Sequence, residues 1–187
     1  ALFAVRRGAC EHGPTETIVE DFYLTMRMVQ KGWRVQYAPD AYAVETSSAS
    51  VQEELKRKIR IAAGGLQAVW RLAPMLNIFR YGAASFQYIS HRVLRWTLAP
   101  LFLPLLLAVN AILAWKGSSF YQWVMAAQAT FYIAAWAGYL LEQRKLKLKV
   151  FFVPYYFCMM NYAQYAGFFR FVRGRQSVLW ERAKRAS

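Results

Sequence analysis

The chain has 187 residues, with 24 Lys and Arg against 10 Asp and Glu, so it carries a net charge of +14 while 57% of it is hydrophobic and only 18% charged. A soluble nucleic-acid binder of this charge carries a larger charged fraction, and a disordered basic tail does not hold 17% aromatic residues. Both classes are excluded, and the composition points to a protein that sits on or in a membrane. Eight of the ten acids fall in the first 54 residues and none lies between 55 and 141, which separates an acid-containing soluble piece from an apolar remainder.

Ala1 is not an initiator Met, and the first seven residues lack the order of a signal peptide, so the opening reads as a chain entered mid-domain and a fragment is expected. Residues 1–5 form a short apolar run suited to a buried strand, and residues 6–15, with Gly8, Gly13 and Pro14, suit a loop. A helix is predicted over residues 20–31. Phe22, Met26 and Val29 recur at helical spacing, Glu20 and Asp21 occupy the first turn, and Gly32 follows as a left-handed cap. Trp33, Val35 and Tyr37 then alternate with polar residues as in a half-buried strand, Pro39-Asp40 closes it, and residues 41–45 are expected to form a second strand.

Ser50-Val51-Gln52-Glu53 has the form of a capping box and should start a helix that carries Lys56, Arg57, Lys58 and Arg60 before reaching Gly64-Gly65. The two glycines there either weaken the helix or admit another backbone. Residues 76–96 mix Phe79, Phe86, Tyr88 and Ile89 with Arg80, His91, Arg92 and Arg95, a pattern for a helix lying in the membrane interface. Three uncharged stretches follow, residues 97–115, 117–141 and 150–169, each near the roughly 20 residues that a helix needs to cross hydrocarbon. The basic connector 142–149 belongs on the cytosolic side, which also places the acid-containing piece there. The basic tail 170–187 conflicts with a third full crossing. Pro154, Asn161 and Gln164 make 150–169 the weakest span, and a re-entrant helix fits the charges better. Cys10 and Cys158 give no disulfide framework, consistent with a reducing compartment.

Glu20 and Asp21, at a loop-to-helix junction, are the candidate acid–base pair, since a carboxylate there can accept a proton from an attacking hydroxyl; an acidic first turn that only caps its helix is the plainer alternative. Arg57 and Arg60 lie three apart on one helix face, and guanidinium forks match phosphate oxygens in a substrate or in lipid headgroups. His12 and His91 have no metal-binding companions at the usual spacing. The aromatic run 155–168 suits a glycan path, a membrane belt or plain helix packing, and Trp180 in the tail suits docking on the membrane surface or closing over the catalytic site.

The strings Thr17-Ile18-Val19-Glu20-Asp21-Phe22-Tyr23-Leu24-Thr25, Gly32-Trp33-Arg34-Val35-Gln36-Tyr37-Ala38-Pro39 and Arg57-Lys58-Ile59-Arg60-Ile61 resemble, in that order, the C-terminal half of membrane-bound family 2 glycosyltransferases, the group of cellulose, hyaluronan and poly-N-acetylglucosamine synthases. The resemblance implies an α+β fragment, the C-terminal part of a GT-A-like domain, over residues 1–74. It further implies an interfacial helix over 75–96, an all-α membrane region with two or three transmembrane helices over 97–169, and a basic tail. It implies Asp21, beside Glu20, as catalytic base of an inverting hexosyl or N-acetylhexosaminyl transfer from a nucleotide-sugar to a glycan or lipid-linked acceptor, with Arg57 and Arg60 on the substrate. Of the synthases' Gln-x-x-Arg-Trp only Arg60 is kept. The Gln position falls on Arg57 or Lys58, and Ile61 stands at the Trp position, which puts processive synthesis in doubt.

The family's divalent cation, Mg or Mn, is held by Asp-x-Asp. The only aspartates here are Asp21 and Asp40, so by the resemblance its ligands lie outside this chain and the fragment is inactive alone. The expected setting is the inner (plasma) membrane, with lipids as partners and the catalytic part in the cytosol. The rival reading is a non-catalytic scaffold or degenerate partner subunit that binds anionic lipid.

Overall fold

The computed structural model describes residues 3–6, 8, 14–44, 50–146 and 148–174. Cys10, His12, Glu45 and the tail from 175 onward, including Trp180, lie outside them. The described residues partition into two compact units, one made of residues up to 97 together with 166–174, the other of residues 98–165.

In the first unit, α1 (Glu20–Gln30) begins with the acidic turn and ends where Gly32 takes φ +87°, the left-handed conformation expected of it. The Gly32 amide donates to Val29 and that of Trp33 to Met28, both at 3.0 Å, which closes the helix end. The longer α2 (Val51–Arg71) starts at Ser50, whose Oγ accepts from the Glu53 amide at 3.2 Å. The carboxylate of Glu53 takes Lys56 at 2.9 Å. A 3-10 turn (Ala73–Leu76) leads to α3 (Ile78–Tyr88), capped by Asn77, whose side chain accepts from the Arg80 amide at 3.1 Å. The stretch expected to be one interfacial helix is instead broken. Gly82 turns non-helical at φ +53°, and a wide π turn (Ile89–Val93) precedes the short α4 (Leu94–Trp96).

The core of this unit gathers Tyr23 from α1, Ala68 from α2, Leu72, Met75 and Tyr88 from α3. Phe22, Met26 and Val29, the expected apolar stripe of α1, pack against that core, with Tyr23 the most buried residue of the helix.

The expected α+β fragment is overturned, because the described residues are helical and contain no strand. Residues 33–38 and 41–44 have no regular structure and form no ladder among the described residues, and Tyr37 (84%), Tyr42 (81%) and Val44 (90%) stand exposed. Residues 3–5 are likewise not in a strand. An alternating pattern encodes a face and not a partner. A strand exists only when a neighbouring backbone takes up its N–H and C=O groups, and no described segment runs beside these residues.

The second unit holds α5 (Leu98–Trp115) and α6 (Ser119–Gln143), the two helices among the described residues that are long and apolar enough to cross a membrane. Gly117, at φ +89°, makes the turn between them. They run antiparallel, with Gln122 Nε2 near the Ala114 carbonyl at 3.4 Å and Asn110 Nδ2 donating to Gln128 Oε1 at 2.6 Å. Helix α7 (Lys149–Val172) has Pro154 inside it and contributes residues to both units. Within the second unit it packs on α6 through Phe131–Phe157 and Tyr139–Tyr155 ring contacts at 5.6 and 5.9 Å, with Gly138 against the Phe151 backbone, and the Tyr165 hydroxyl donates to the Pro100 carbonyl.

Candidate active site

Residues 14–19 form a turn, closed by the Thr17 amide on the Pro14 carbonyl at 3.0 Å, but no helix or strand, so groups such as the Ile18 amide and the Glu16 carbonyl need partners elsewhere. Helix α2 supplies them. Arg57, Arg60, Gly64, Gln67 and Arg71 recur at intervals of three and four residues, which puts them along one helix face. At Gly64 the helix meets the incoming segment directly: a Cβ there would stand 2.5 Å from Val19 Cγ2 and 2.8 Å from Ile18 Cβ. One turn on, Gln67 bonds both the Ile18 amide (3.1 Å) and the Glu16 carbonyl (2.9 Å). Another turn on, Arg71 Nη1 donates to the Thr17 hydroxyl at 2.7 Å. The glycine pair therefore marks a close approach, and at Gly65 a Cβ would stand 2.7 Å from the Trp96 ring.

The segment fixed in this way runs straight into Glu20 and Asp21, the first two residues of α1. Glu20 is exposed and Asp21 half-buried. Val19 offers no side-chain cap. Asp21 Oδ1 accepts from the Phe22 amide at 2.8 Å, so the carboxylate takes up one of the free donors of the first turn and keeps oxygen lone pairs in reserve. The Thr25 hydroxyl donates to the Asp21 carbonyl at 2.7 Å.

Phe22 anchors this turn from behind. Its ring stacks on Tyr88 at 6.3 Å and meets Trp96 edge-on at 5.4 Å, and the Arg92 guanidinium lies 5.1 Å over Phe22 and 5.6 Å over Trp96. Arg92, read from sequence as an interface residue, thus packs beside the acidic turn. Tyr88 is 2% exposed, and burial pushes its hydroxyl up from 10.0 to about 12.

The candidate arginines lie at the N-terminal end of the α2 face. Arg57 Nε approaches Glu54 at 3.9 Å with its side chain 43% exposed, and Arg60 is half-buried one turn before Gly64. The sequence pairs Glu20 with Asp21 and Arg57 with Arg60. The structure adds that α2 is also what holds the segment leading to the acids. A cavity of about 350 Å³ opens farther along the same face between Glu16, Gln67 and Arg170, and its lining includes neither Asp21 nor Arg60.

Gln67 was not singled out by the sequence reading. Its signal was its place on the arginine–glycine stripe, seven residues past Arg60. Among the described residues no three His, Cys, Asp or Glu side chains come together to hold a metal ion. Family 2 glycosyltransferases commonly use a divalent cation, but the donors among the described residues do not fit one, and no step below runs through it.

The model of the Glycosyl transferase family group 2 matches residues 4–169, and the chain belongs to that family. Membership implies glycosyl transfer from a nucleotide-sugar donor to an acceptor. No curated protein and no solved structure matches the chain.

Proposed function

We propose that this chain carries the acceptor side of an inverting, membrane-bound glycosyl transfer. The acceptor hydroxyl attacks the anomeric carbon of a nucleotide-sugar and gives its proton to Asp21, while the bond from that carbon to the phosphate oxygen breaks and the nucleoside diphosphate departs with the electron pair. Glu20 adds negative charge beside the base and faces solvent. Arg57 and Arg60 take the pyrophosphate as its charge develops, Arg60 with the planar fork that suits two phosphate oxygens. The acceptor is a glycan or lipid-linked sugar, and the donor a hexose or N-acetylhexosamine nucleotide.

The single observation that carries this reading is the family match across both motifs, joined to a half-buried Asp21 whose segment is held against the arginine-bearing face of α2. In keeping with it, α5 and α6 cross the membrane, α7 dips into it from the cytosolic side, and the acidic and basic motifs face the cytosol where nucleotide-sugars are made. The test is Asp21→Asn in the intact protein. The amide keeps the size and the contact to Phe22 but cannot take a proton, so kcat should fall by about 100-fold or more with donor KM little changed. Transfer within about tenfold of wild type refutes Asp21 as the base.

A further inference from the structure

The placing of Asp21 depends on contacts far away in sequence. Residues 14–19 make no ladder and no helix, yet both polar groups flanking Thr17 are satisfied by one side chain, with Gln67 Oε1 accepting from Ile18 and Gln67 Nε2 donating to Glu16 across about fifty residues of chain. A carboxamide is the uncharged side chain able to offer an acceptor and a donor side by side, as a neighbouring strand would. Gly64 lets α2 come close enough for that reach, and Arg71 and Pro14 both bond Thr17 Oγ1 at 2.7 Å, the arginine as donor and the Pro14 carbonyl as acceptor. From Ile18 only Val19 and Glu20 intervene before the base, and among the described residues the bond shown for the Asp21 carboxylate is the local one from the Phe22 amide.

We propose that Gln67 is a positioning residue, which sets the register of residues 16–18 on α2 and through them the place of the Asp21 carboxylate during transfer. This rests on the reading of Asp21 as the base. Gln67 itself touches backbone, and its effect reaches the reaction only through the segment it holds. The charged groups around position 67 are Glu16 and Arg170, which border the same cavity, and Arg71 one turn along.

The experiment uses the intact protein in membranes. Nucleoside diphosphate release is followed from a panel of UDP- and GDP-linked hexoses and N-acetylhexosamines, and the donor that wild type turns over fastest is used for the variants. Gln67→Leu removes both bonds at nearly constant volume. It should lower kcat by roughly 10- to 100-fold, the range expected for a reacting group displaced by about 1 Å, while donor KM stays within about twofold. Amide exchange of peptides covering 14–19 should rise while that of α2 does not.

Gln67→Glu guards against a leucine variant that does not fold. Its ionised carboxylate still accepts from Ile18 but repels the Glu16 carbonyl, and its protonated form donates again. The ratio of its kcat to that of wild type should therefore climb as pH falls, a signature that a merely structural role does not give. Asp21→Asn is measured alongside. If it abolishes transfer while Gln67→Leu stays within threefold of wild type, the positioning role fails and the base stands. If Asp21→Asn keeps transfer, the base reading fails and takes this proposal with it. A flat Gln67→Glu ratio across pH, or a Gln67→Leu loss that appears in donor KM and not in kcat, also overturns the proposal.

Discussion

Gly64→Ala adds one methyl group at the point where α2 meets the segment leading to Asp21. The new carbon would stand 2.5 Å from Val19 Cγ2, 2.7 Å from Ile18 Cγ2 and 2.8 Å from Ile18 Cβ. Carbon atoms rest about 3.5–4.0 Å apart, so residues 18 and 19 must retreat by about 1 Å. That retreat takes the bond from the Ile18 amide to Gln67, now 3.1 Å, out of hydrogen-bonding range.

The energy terms partly cancel. Alanine gains about 1 kcal/mol over glycine inside a helix, whereas forcing an extra methyl into a packed contact costs about 1–3 kcal/mol. Net destabilisation is then about 0–2 kcal/mol, small enough for the protein to fold. Catalysis has no such offset, because a 1 Å displacement of the segment ending at the base costs about 100-fold in kcat. Transfer kinetics measured beside thermal unfolding of the same preparation test the point. A variant with wild-type kcat within threefold would show that the approach of α2 to residues 18 and 19 does not govern where Asp21 stands.

Three further outcomes are expected. Arg60→Lys keeps the charge and loses the fork, so a pyrophosphate role predicts a drop in kcat of about tenfold or more, while normal transfer by the lysine variant would remove Arg60 from the leaving group. Tyr88→Phe deletes a buried hydroxyl that has no partner among the described residues, and should be neutral or stabilising by up to about 1 kcal/mol at pH 7. In wild type the folded state keeps the Tyr88 proton up to about pH 12, whereas the unfolded chain gives it up near pH 10. That part of the stability is present below pH 10 and is lost between pH 10 and 12, by about 3 kcal/mol in all. The phenylalanine variant should lack this alkaline loss, and an unchanged alkaline slope in urea unfolding would refute it. Single cysteines at Ser118 and at Ser177, which lies outside the described residues, report topology in a background without Cys10 and Cys158. A membrane-impermeant thiol reagent on intact cells should label the cysteine placed at position 118 and not the one at 177, and labelling at both would mean that α7 crosses.

Much of the helical framework was legible in sequence because its signals are local. The acids of the first turn, the left-handed glycine at 32, the Ser50 cap and the two uncharged stretches that became α5 and α6 each depend on residues within a turn or on one continuous segment. The candidates Glu20-Asp21 and Arg57–Arg60 were picked out by residue type, spacing and resemblance alone. Two matters were decided only by the tertiary structure. The alternation of Trp33, Val35 and Tyr37 could not say whether a neighbouring backbone was present, and with no ladder partner among the described residues they stay irregular and exposed. Likewise Gly64-Gly65 left open a weak point or a close approach and Gln67 drew no reading, since what they touch, Glu16 to Val19, lies about fifty residues earlier in the chain. A period describes one face of one element; which surface meets that face is a property of the folded chain, and here it is the segment that carries the candidate base.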